Sequence, residues 1–330
     1  MRRVRVGVVG VGKLGTYHIQ NYLNIPEAEV VGTWDVDPER MRAVEQRWGV
    51  PGYPSLEKLL AEVEAVSVAV PTTAHRDVAT KALAAGVHCL VEKPLASTLE
   101  EANEIVQVAA EHGLVLHVGH VERFNPAILA LRDVELQPRF IESHRLAPFD
   151  PRGTDVPVVL DLMIHDIDLI LSLVPSPVSR IDARGVAVVS DDADIANARL
   201  EFEDGCVANV TASRISQRKM RKLRLFQRNA YISVDMLQGL TEVFRLEEHE
   251  APPPDKDARL VLGQIDRGQR KRAISYERLH APEINALEAE LREFLKAVRG
   301  EPNAGVTGEQ AKRALEVALE IERIVQATDV

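Results

Sequence analysis

The sequence predicts an α/β protein of two domains, in which a doubly wound parallel sheet is followed by an α+β domain with a large, mostly antiparallel open sheet. Three observations support this fold class. Residues 1–120 alternate short β-branched runs with helical segments, as parallel strands joined by crossover helices do. Residues 181–245 instead carry successive runs of alternating apolar and polar residues, typical of antiparallel strands. The chain has 330 residues and is 45% hydrophobic, which is enough for two such cores.

The first domain, residues 1–120, is predicted to contain five strands and five helices. Several of the helix starts follow an Asp, Ser or Thr cap. The predicted strands span residues 4–9, 29–34, 65–70, 88–91 and 114–118, and the helices begin near Gly12, Pro38, Ser55, Thr73 and Thr98.

The second domain, residues 121–330, has a different rhythm. Its predicted strands span residues 139–146, 181–189, 195–202, 206–214, 222–226, 230–235 and 239–245, and its helices 126–131, 158–173, 284–299 and 308–327. The charged segment 247–269 contains Pro252-Pro253-Pro254 and is predicted to be a loop with at most one short strand, which makes it a candidate mobile lid. The C-terminal helix is a candidate to pack back on the first domain.

Composition and charge exclude several classes of function. The net charge of −10 repels nucleic acid and anionic membranes. No apolar run approaches the roughly 20 residues needed to cross a bilayer, and the N-terminus lacks an export signal. Cys89 and Cys206 lie far apart in apolar runs, as buried thiols do rather than members of a disulfide framework. We therefore expect a cytoplasmic protein that binds neither nucleic acid nor membrane.

A glycine-rich motif follows the first strand. Gly10, Gly12 and Gly15, with Lys13 and Leu14 between the last two, form G-x-G-x-x-G at the start of a helix. In this motif the first glycine permits a tight turn, the second lets the backbone approach a pyrophosphate, and the third allows close helix–strand packing. The anion rests on the helix N-terminus. The motif predicts a dinucleotide-binding Rossmann domain, and the alternative is a glycine turn that serves packing alone.

Asp35 determines the expected cofactor. It ends the second strand, where a carboxylate accepts hydrogen bonds from the adenosine ribose hydroxyls and repels a 2′-phosphate. The residues that follow directly supply no basic group, and Arg40 is interpreted as a solvated helix residue. The sequence therefore favours NAD over NADP.

Pro71, Thr72 and His75 follow the next predicted strand, at the carboxyl edge where ligands of open α/β sheets bind. Pro71 and Thr72 are expected to line the cofactor. His75 lies in the first helical turn, so it either faces the nicotinamide or is an exposed histidine of the capping turn.

Glu92, Lys93 and Pro94 follow another strand at the same edge. Pro94 restricts the backbone of Lys93 to extended conformations, which would fix the direction of the ammonium group. The functional interpretation places Glu92 and Lys93 at the nicotinamide. The alternative is a common surface turn.

Asp161, His165 and Asp168 form a polar stripe on an otherwise apolar helix, at spacings i, i+4 and i+7. Such a stripe is costly to bury unless it lines a cleft. Oxidation of a secondary alcohol needs a base and a positive group for the developing alkoxide. We expect His165 and Lys93 to meet at the reacting carbon in these roles, with Asp161 orienting the imidazole or binding the substrate. The alternative is a solvent-facing stripe.

Asp161 and His165, with His117 and His120 upstream, offer the residue types of a zinc site. On a strand, positions three apart face opposite sides, and no cysteine or third histidine completes the set. No metal is therefore expected.

Together these motifs resemble the Gfo/Idh/MocA oxidoreductase family over essentially the whole chain. The matching segments, in order, are the glycine motif with Thr16-Tyr17-His18, then Glu92-Lys93-Pro94, Arg123-Phe124-Asn125-Pro126 and residues 161–168. The resemblance implies a Rossmann domain, a C-terminal substrate domain with an open sheet, and dimers or tetramers formed through that sheet. It also implies that Lys93, Asp161 and His165 surround the nicotinamide and the substrate, and that Arg123 and Asn125 approach cofactor or substrate.

Within the family, residues 119–126 and 160–168 are most like those of members that oxidise the C3 hydroxyl of UDP-N-acetylglucosamine to a ketone, on a route to diamino-sugar lipid A. Residues 156–160 depart from the wider family because they lack its frequent glycines. The alternatives are another substrate, such as an inositol, a free hexose or a dihydrodiol, and an NAD(H)-binding regulator without turnover.

A nucleotide-sugar substrate needs countercharge for its diphosphate, and one basic run is a candidate. Residues 214–228 contain no acid and carry Arg214, Arg218, Lys219, Arg221, Lys222, Arg224 and Arg228. The other interpretation is a solvated or interface face of the sheet that pairs with acids of another subunit. Nucleic-acid binding is not supported, because no aromatic platform accompanies the run.

Overall fold

The computed structural model describes residues 2–149, 156–247, 259–267, 270–280 and 283–327. The chain divides into two compact units. Unit 1 comprises Met1–Val121 and Asn285–Glu316, and unit 2 comprises Glu122–Ile284 and Val317–Val330.

Unit 1 contains a parallel five-stranded sheet in the order β2-β1-β3-β4-β5. The strands are β1 (Val4–Val9), β2 (Ala28–Trp34), β3 (Ala65–Val68), β4 (His88–Glu92) and β5 (Leu116–Gly119). The strand order changes direction between β1 and β3, which is the switch point at which doubly wound sheets bind ligands. The five strand predictions are confirmed, with ends shifted by two residues at most.

The described residues form nine α-helices. They are α1 (Lys13–Leu23), α2 (Pro38–Trp48), α3 (Leu56–Leu60), α4 (His75–Ala84), α5 (Leu99–Glu111), α6 (Pro126–Leu129), α7 (Ile164–Leu173), α8 (Ala286–Val298) and α9 (Gly308–Gln326). Side chains of Asp37, Ser55 and Thr98 accept hydrogen bonds from backbone N–H groups of α2, α3 and α5, as their sequence predicts. None of these helices, in the described ranges, has the length and apolarity needed to cross a membrane.

The core of unit 1 combines distant parts of the chain. Val4, Val6 and Tyr22 pack in one buried cluster with Phe294 and Leu295 of α8. Each of the two aromatic side chains is at most 1% exposed. Burial of a large apolar side chain stabilises the fold by about 1.5 to 3 kcal/mol, so α8 is an integral part of this unit.

Unit 2 contains a sheet with nine described strands in the order β13-β14-β12-β11-β10-β6-β9-β8-β7. Adjacent strands are antiparallel except for the parallel pair of β6 and β9. The strands are β6 (Phe140–Leu146), β7 (Val178–Val186), β8 (Ile195–Phe202), β9 (Val207–Ser213), β10 (Met220–Gln227), β11 (Ala230–Asp235), β12 (Leu240–Glu247), β13 (Arg259–Arg267) and β14 (Arg270–Leu279). The two-part fold class predicted from the sequence is confirmed.

Strands β13 and β14 correct the prediction for the end of this sheet. The segment 247–269 was predicted to be a loop with at most one short strand, and residues 270–279 were not assigned to a strand. Instead, β13 and β14 pair over most of their length. The two strands are rich in charge, so the apolar alternation that marks a half-buried strand is weak. The proposed lid falls mainly on residues 248–258 and 268–269, which lie outside the described residues.

The predicted helix 158–173 is not uniform. Val159–Met163 forms a π-helical turn, and α7 follows it. The i, i+4 argument for Asp161 and His165 assumed α-helical spacing throughout, and a π turn changes the angle between them. Such turns occur often at functional sites.

Candidate active site

The glycine motif has three different local roles in unit 1. Gly10 has φ +84°, a conformation that favours glycine, and a Cβ there would lie 2.6 Å from the Ala69 carbonyl oxygen. A Cβ on Gly15 would overlap the Gly10 carbonyl oxygen. A Cβ on Gly12 would meet no atom closer than Arg40 Nη1 at 3.9 Å. Packing therefore explains Gly10 and Gly15, whereas the space at Gly12 suits the close approach of a ligand.

The start of α1 is suited to an anion. Gly12 is its N-cap residue and supplies no side-chain hydrogen bond to the first turn. Lys13 and Leu14, the first two helical residues, are exposed. The backbone N–H groups of a first helical turn have no partner within the helix, and together with the helix dipole they favour a phosphate group.

Asp35 is tied to the glycine loop. Its Oδ2 accepts a hydrogen bond from the Val11 N–H at 2.7 Å, and its Oδ1 accepts one from the Asp37 N–H at 2.8 Å. Asp35 is 7% exposed. Its hydrogen bond from Val11 holds the end of β2 against the loop after β1. A carboxylate at this place fits the ribose hydroxyls of an adenosine.

Arg40 is exposed, as its sequence position predicts, and it also lies close to Asp35. Its Nε lies 3.4 Å from Asp37 Oδ2, and its Nη1 lies 4.0 Å from Asp35 Oδ2. An arginine in the first turn of a helix reaches back to residues three positions earlier, which a search for adjacent basic residues misses. The Asp35 carboxylate therefore stands beside the Arg40 cation.

His75 is buried and bridges two loops at the carboxyl edge of the sheet. It is 1% exposed. Its Nδ1 lies 2.9 Å from the Pro94 carbonyl oxygen and its Nε2 lies 3.0 Å from the Val70 carbonyl oxygen. Burial lowers the pKa of His75, although contacts with the carbonyl groups oppose the shift. The alternative of an exposed histidine is therefore wrong, and contact with the nicotinamide stays a prediction.

Pro71 and Thr72 lie between Val70 and α4. Pro71 precedes a 3₁₀ turn, Thr72–Ala74, and both residues keep part of their surface exposed. Their predicted contact with the cofactor is compatible with this exposure and stays a prediction.

The segment Glu92-Lys93-Pro94 is not a surface turn. Glu92 and Pro94 are buried, and Lys93 between them is half-buried. Glu92 Oε1 lies 2.8 Å from Nε2 of His18, a buried residue of α1. Burial alone would raise the pKa of Glu92, but the hydrogen bond from His18 and the positive charge of Lys93 hold it below its usual value. In the sequence His18 belongs to the motif Thr16-Tyr17-His18, and nothing there indicates that it pairs with Glu92.

In unit 2, Arg123 is engaged by a carboxylate. Its Nε and Nη2 donate to Oδ2 and Oδ1 of Asp168, both at 2.7 Å. Asp168 is 1% exposed, so it is not part of a solvent-facing stripe. Asp161 and His165 are half-buried. The three residues of the predicted stripe therefore differ in exposure, since Asp168 alone is fully buried. The predicted approach of Arg123 to the cofactor remains untested.

Asn125 has a structural role. Its Oδ1 accepts from the Ala127 N–H and caps α6, and its Nδ2 donates to Glu122 Oε2 at 3.1 Å and to the Met236 carbonyl oxygen at 3.0 Å. Both amide hydrogens are thus used within the protein. Oδ1 of Asn125 has a second lone pair, and contact of that lone pair with substrate stays a prediction.

A buried charge network next to these residues was missed in the sequence. Arg145, 2% exposed, donates to both carboxylate oxygens of Asp166 and to Glu122 Oε1. Burial disfavours its charge, but Asp166 and Glu122 outweigh that effect and raise the pKa of Arg145. The sequence could have indicated the burial of Arg145, because residues two apart on a strand share a face and Arg145 lies on the same face of β6 as the buried Ile141. The network joins β6 to the start of α7.

The basic run 214–228 pairs largely within the chain. The observed ion pairs are Arg214 with Asp194, Arg221 with Glu122, Lys222 with Asp235, and Arg224 with Glu142, at 3.1 to 3.4 Å. These four residues are therefore paired within unit 2, and pairing of the run with acids of another subunit stays a prediction. Neighbouring strands and loops of the same unit supply the acids, which sequence order does not reveal.

Metal ligation has no support in the part of the chain that the structure describes. No group of three or more His, Cys, Asp or Glu residues there could hold a metal ion. His117 packs against Phe294, with ring centroids 5.8 Å apart, and burial lowers its pKa to about 4.

The fold and the loop after β1 define the class of protein. The site lies on a doubly wound sheet. It combines Gly12, which leaves space at the start of α1, with a carboxylate at the end of β2, as dinucleotide-binding sites of the NAD type do. When bound, NAD would rest its pyrophosphate near Gly12 and its adenosine ribose near Asp35.

Comparison with known proteins identifies the family. A family model described as "Oxidoreductase family, NAD-binding Rossmann fold" matches residues 4–120, and the "GFO/IDH/MocA C-terminal domain" matches residues 139–233. A UDP-N-acetylglucosamine 3-dehydrogenase of Acidithiobacillus ferrooxidans is 38% identical and is covered over 99% of both chains. A solved structure under that name has a TM-score of 0.88, again over 99% of both chains. A myo-inositol 2-dehydrogenase of Thermotoga maritima is 26% identical over 94% of this chain and 93% of its own.

The chain therefore belongs to the Gfo/Idh/MocA oxidoreductase family. It is an NAD-dependent oxidoreductase, and the resemblance inferred from its motifs is confirmed.

Proposed function

We propose that this enzyme oxidises the C3 hydroxyl of UDP-N-acetylglucosamine to a ketone with NAD. The observation that carries the proposal is the relative from Acidithiobacillus ferrooxidans, which matches 99% of the chain at 38% identity. The inositol dehydrogenase from Thermotoga maritima matches at only 26%. An inositol is therefore the second candidate substrate.

In the proposed mechanism, His165 accepts the hydroxyl proton and Lys93 stabilises the negative charge that develops on the oxygen. Asp161 orients the imidazole or holds the sugar. NAD, when bound, accepts the hydride from the same carbon. The partial burial of Lys93, Asp161 and His165 supports these roles, since buried polar groups interact strongly with charge while exposed ones are screened by water.

The reaction is tested by mixing the purified protein with NAD and a panel of UDP-N-acetylglucosamine, UDP-N-acetylgalactosamine, free N-acetylglucosamine and myo-inositol. Formation of NADH is followed by its near-ultraviolet absorbance, with a carbonyl trap present to remove the ketone product. We expect the largest kcat/KM for UDP-N-acetylglucosamine. A larger value for myo-inositol would replace the proposed substrate, and tight NADH binding without turnover of any member would indicate a regulator.

The catalytic roles are tested with Lys93→Ala and His165→Ala. Each is expected to lower kcat by about 100-fold or more, while the Kd for NAD changes little. Lys58→Ala and His112→Ala are matched controls, because both side chains are exposed and lie outside the site. Full activity in either of the first two variants would refute the role of that residue.

We propose further that copies of the chain associate through the open face of the unit 2 sheet, as dimers or tetramers. Five half-buried aromatic residues from adjacent strands form a continuous stripe there, with neighbouring ring centroids 4.9 to 5.7 Å apart. They are Phe140, Phe226, Tyr231, Phe244 and Tyr276. Aromatic residues are enriched in interface cores. Light scattering should show an oligomer that Phe244→Glu dissociates, and a monomeric parent protein would contradict the proposal.

A reducing compartment suits the chain. Cys89 and Cys206 are buried free thiols, and burial raises the pKa of both. We therefore propose that the enzyme acts in the cytoplasm.

A further inference from the structure

Two buried histidines hold the residues on either side of Lys93. Nε2 of His18, on α1, lies 2.8 Å from Glu92 Oε1. Nδ1 of His75, at the start of α4, lies 2.9 Å from the Pro94 carbonyl oxygen. Each imidazole is 1% exposed. The residue before Lys93 and the residue after it are therefore both anchored to helices.

The His18 contact is directed at Glu92 alone. Nδ1 of His18 is buried and has no hydrogen-bond partner among the described residues. Glu92 Oε2 in turn accepts a long hydrogen bond, 3.3 Å, from the Lys93 N–H. On the other side of the carboxylate, a Cβ on Gly119 would lie only 3.1 Å from the carboxyl atoms. The glycine in β5 thus leaves room for the carboxylate, and His18 and Lys93 hold it in place.

The His75 contact joins two strand ends. Its Nε2 lies 3.0 Å from the Val70 carbonyl oxygen, two residues beyond β3. The ring therefore lies between the backbone after β3 and the backbone after β4. A neutral imidazole carries one N–H and can donate to only one of these two carbonyl oxygens; a proton on Nδ1 makes the shorter contact, to Pro94, the hydrogen bond.

The surroundings make these two polar contacts notable. Leu90, Val91, Leu95 and Ala96, which flank the segment, are each at most 1% exposed. In such apolar surroundings the Glu92 carboxylate needs the partner that His18 supplies. Precise placement of a residue requires that the groups on either side of it are held in this way.

We propose that His18 and His75 are positioning residues for Lys93, which fix the Glu92 carboxylate and the Pro94 carbonyl so that the ammonium between them is presented in one place. This inference rests on the proposed catalytic role of Lys93. Misplacement of a reacting group by about 1 Å can cost 100-fold in rate, so the effect is expected in kcat rather than in cofactor binding.

The first experiment compares His18→Gln with His18→Asn. The glutamine amide nitrogen can replace Nε2 toward Glu92, whereas the shorter asparagine amide cannot reach it. We expect His18→Asn to lower kcat by about 10-fold or more while the KM for NAD stays within about twofold, and His18→Gln to restore most of the activity. His75→Ala is expected to act like His18→Asn, and His112→Ala is the exposed control.

A second measurement does not depend on turnover. The rate at which an amine-reactive reagent labels Lys93 is measured by peptide mass spectrometry, with exposed Lys58 as the internal reference. His18→Asn and His75→Ala are expected to change the Lys93 rate by at least about threefold and to leave the Lys58 rate unchanged.

The outcomes separate the inference from the proposed function. Unchanged kcat and unchanged Lys93 labelling in His18→Asn and His75→Ala would overturn the positioning role. Equal losses in His18→Gln and His18→Asn, accompanied by loss of NAD binding, would also overturn it, because they would indicate general damage to the fold. If Lys93→Ala keeps full activity while the labelling still responds to His18→Asn, the catalytic role of Lys93 is wrong but the anchoring is correct.

Discussion

Arg123 and Asp168 form a bidentate salt bridge, in which two guanidinium nitrogens each lie 2.7 Å from a different carboxylate oxygen. The pair joins the turn Val121–Phe124 to α7, the helix that carries His165. Asp168 is 1% exposed, and the guanidinium of Arg123 compensates the charge of its carboxylate. The helix that carries the proposed base is thereby anchored three residues beyond it.

Asp168→Asn is expected to lower the free energy of unfolding by about 2 kcal/mol, because it leaves the half-buried guanidinium of Arg123 without its carboxylate. Urea unfolding measures this change. Asp182→Asn removes a comparable arginine contact at the surface and should have little effect. Equal effects of the two substitutions would show that burial does not determine the strength of the Arg123–Asp168 pair.

Gly12→Ala and Gly15→Ala are expected to fail in different ways. The Gly12 Cβ has room within the protein, so Gly12→Ala should fold with nearly unchanged Tm but weaken NAD binding by about 10-fold or more. The Gly15 Cβ would overlap the Gly10 carbonyl oxygen, so Gly15→Ala should lower Tm. Thermal unfolding and NAD titration separate the two effects. Normal NAD affinity in Gly12→Ala would place the pyrophosphate elsewhere.

Asp35→Ser is expected to shift cofactor preference from NAD toward NADP. The substitution removes the carboxylate that repels a 2′-phosphate and leaves Arg40, now 4.0 Å from Asp35 Oδ2, as the nearby cation. The ratio of kcat/KM for NAD to that for NADP should fall by about 10-fold or more. In Asp35→Ser combined with Arg40→Ala, the gain with NADP should disappear. An unchanged ratio in the single variant would mean that Asp35 does not face the ribose.

His117 predicts a loss of stability in mild acid. Burial lowers its folded-state pKa from 6.5 to about 4, and the charge of Glu293 only partly opposes this. Below pH 6.5 the unfolded chain therefore binds a proton that the folded protein does not bind until about pH 4. The free energy of unfolding should fall as the pH decreases through this window, by about 2 kcal/mol from this group at about pH 5.

His117→Gln removes the titrating group and should make the difference in unfolding free energy between about pH 7.5 and about pH 5 smaller by that amount. Urea unfolding at the two pH values measures it. If the substituted and parent proteins lose the same stability on acidification, His117 does not contribute to the loss.

Local patterns predicted the first unit well. Its strands follow from runs of β-branched residues, and helix starts at Pro38, Leu56 and Leu99 follow from caps that act within three residues. The glycine motif was recognisable for the same reason, since each glycine answers a local demand of the turn or of helix packing. Strands β13 and β14 escaped because their charged side chains carry no clear alternation, and their pairing depends on β12 and the rest of the sheet.

Partners distant in the sequence could not be predicted in this way. His18 and Glu92 are 74 positions apart, and Arg145 and Asp166 are 21 positions apart. Spacing along the chain indicates which residues share a face of one helix or strand, but it does not indicate which element packs against that face. The basic run showed the same limit, because its acids come from other strands and loops of the same unit.

The amino-acid order alone therefore determined the fold class, the dinucleotide-binding loop, the preference for NAD and the family, since all of these are encoded in short stretches where backbone geometry and side-chain chemistry act together. The tertiary structure decided which charged and polar residues are anchored and to what: Arg123 to Asp168, Glu92 to His18 and His75 to the Pro94 carbonyl group. The physical reason is that burial makes a polar group depend on a partner, and folding brings that partner from a distant part of the chain.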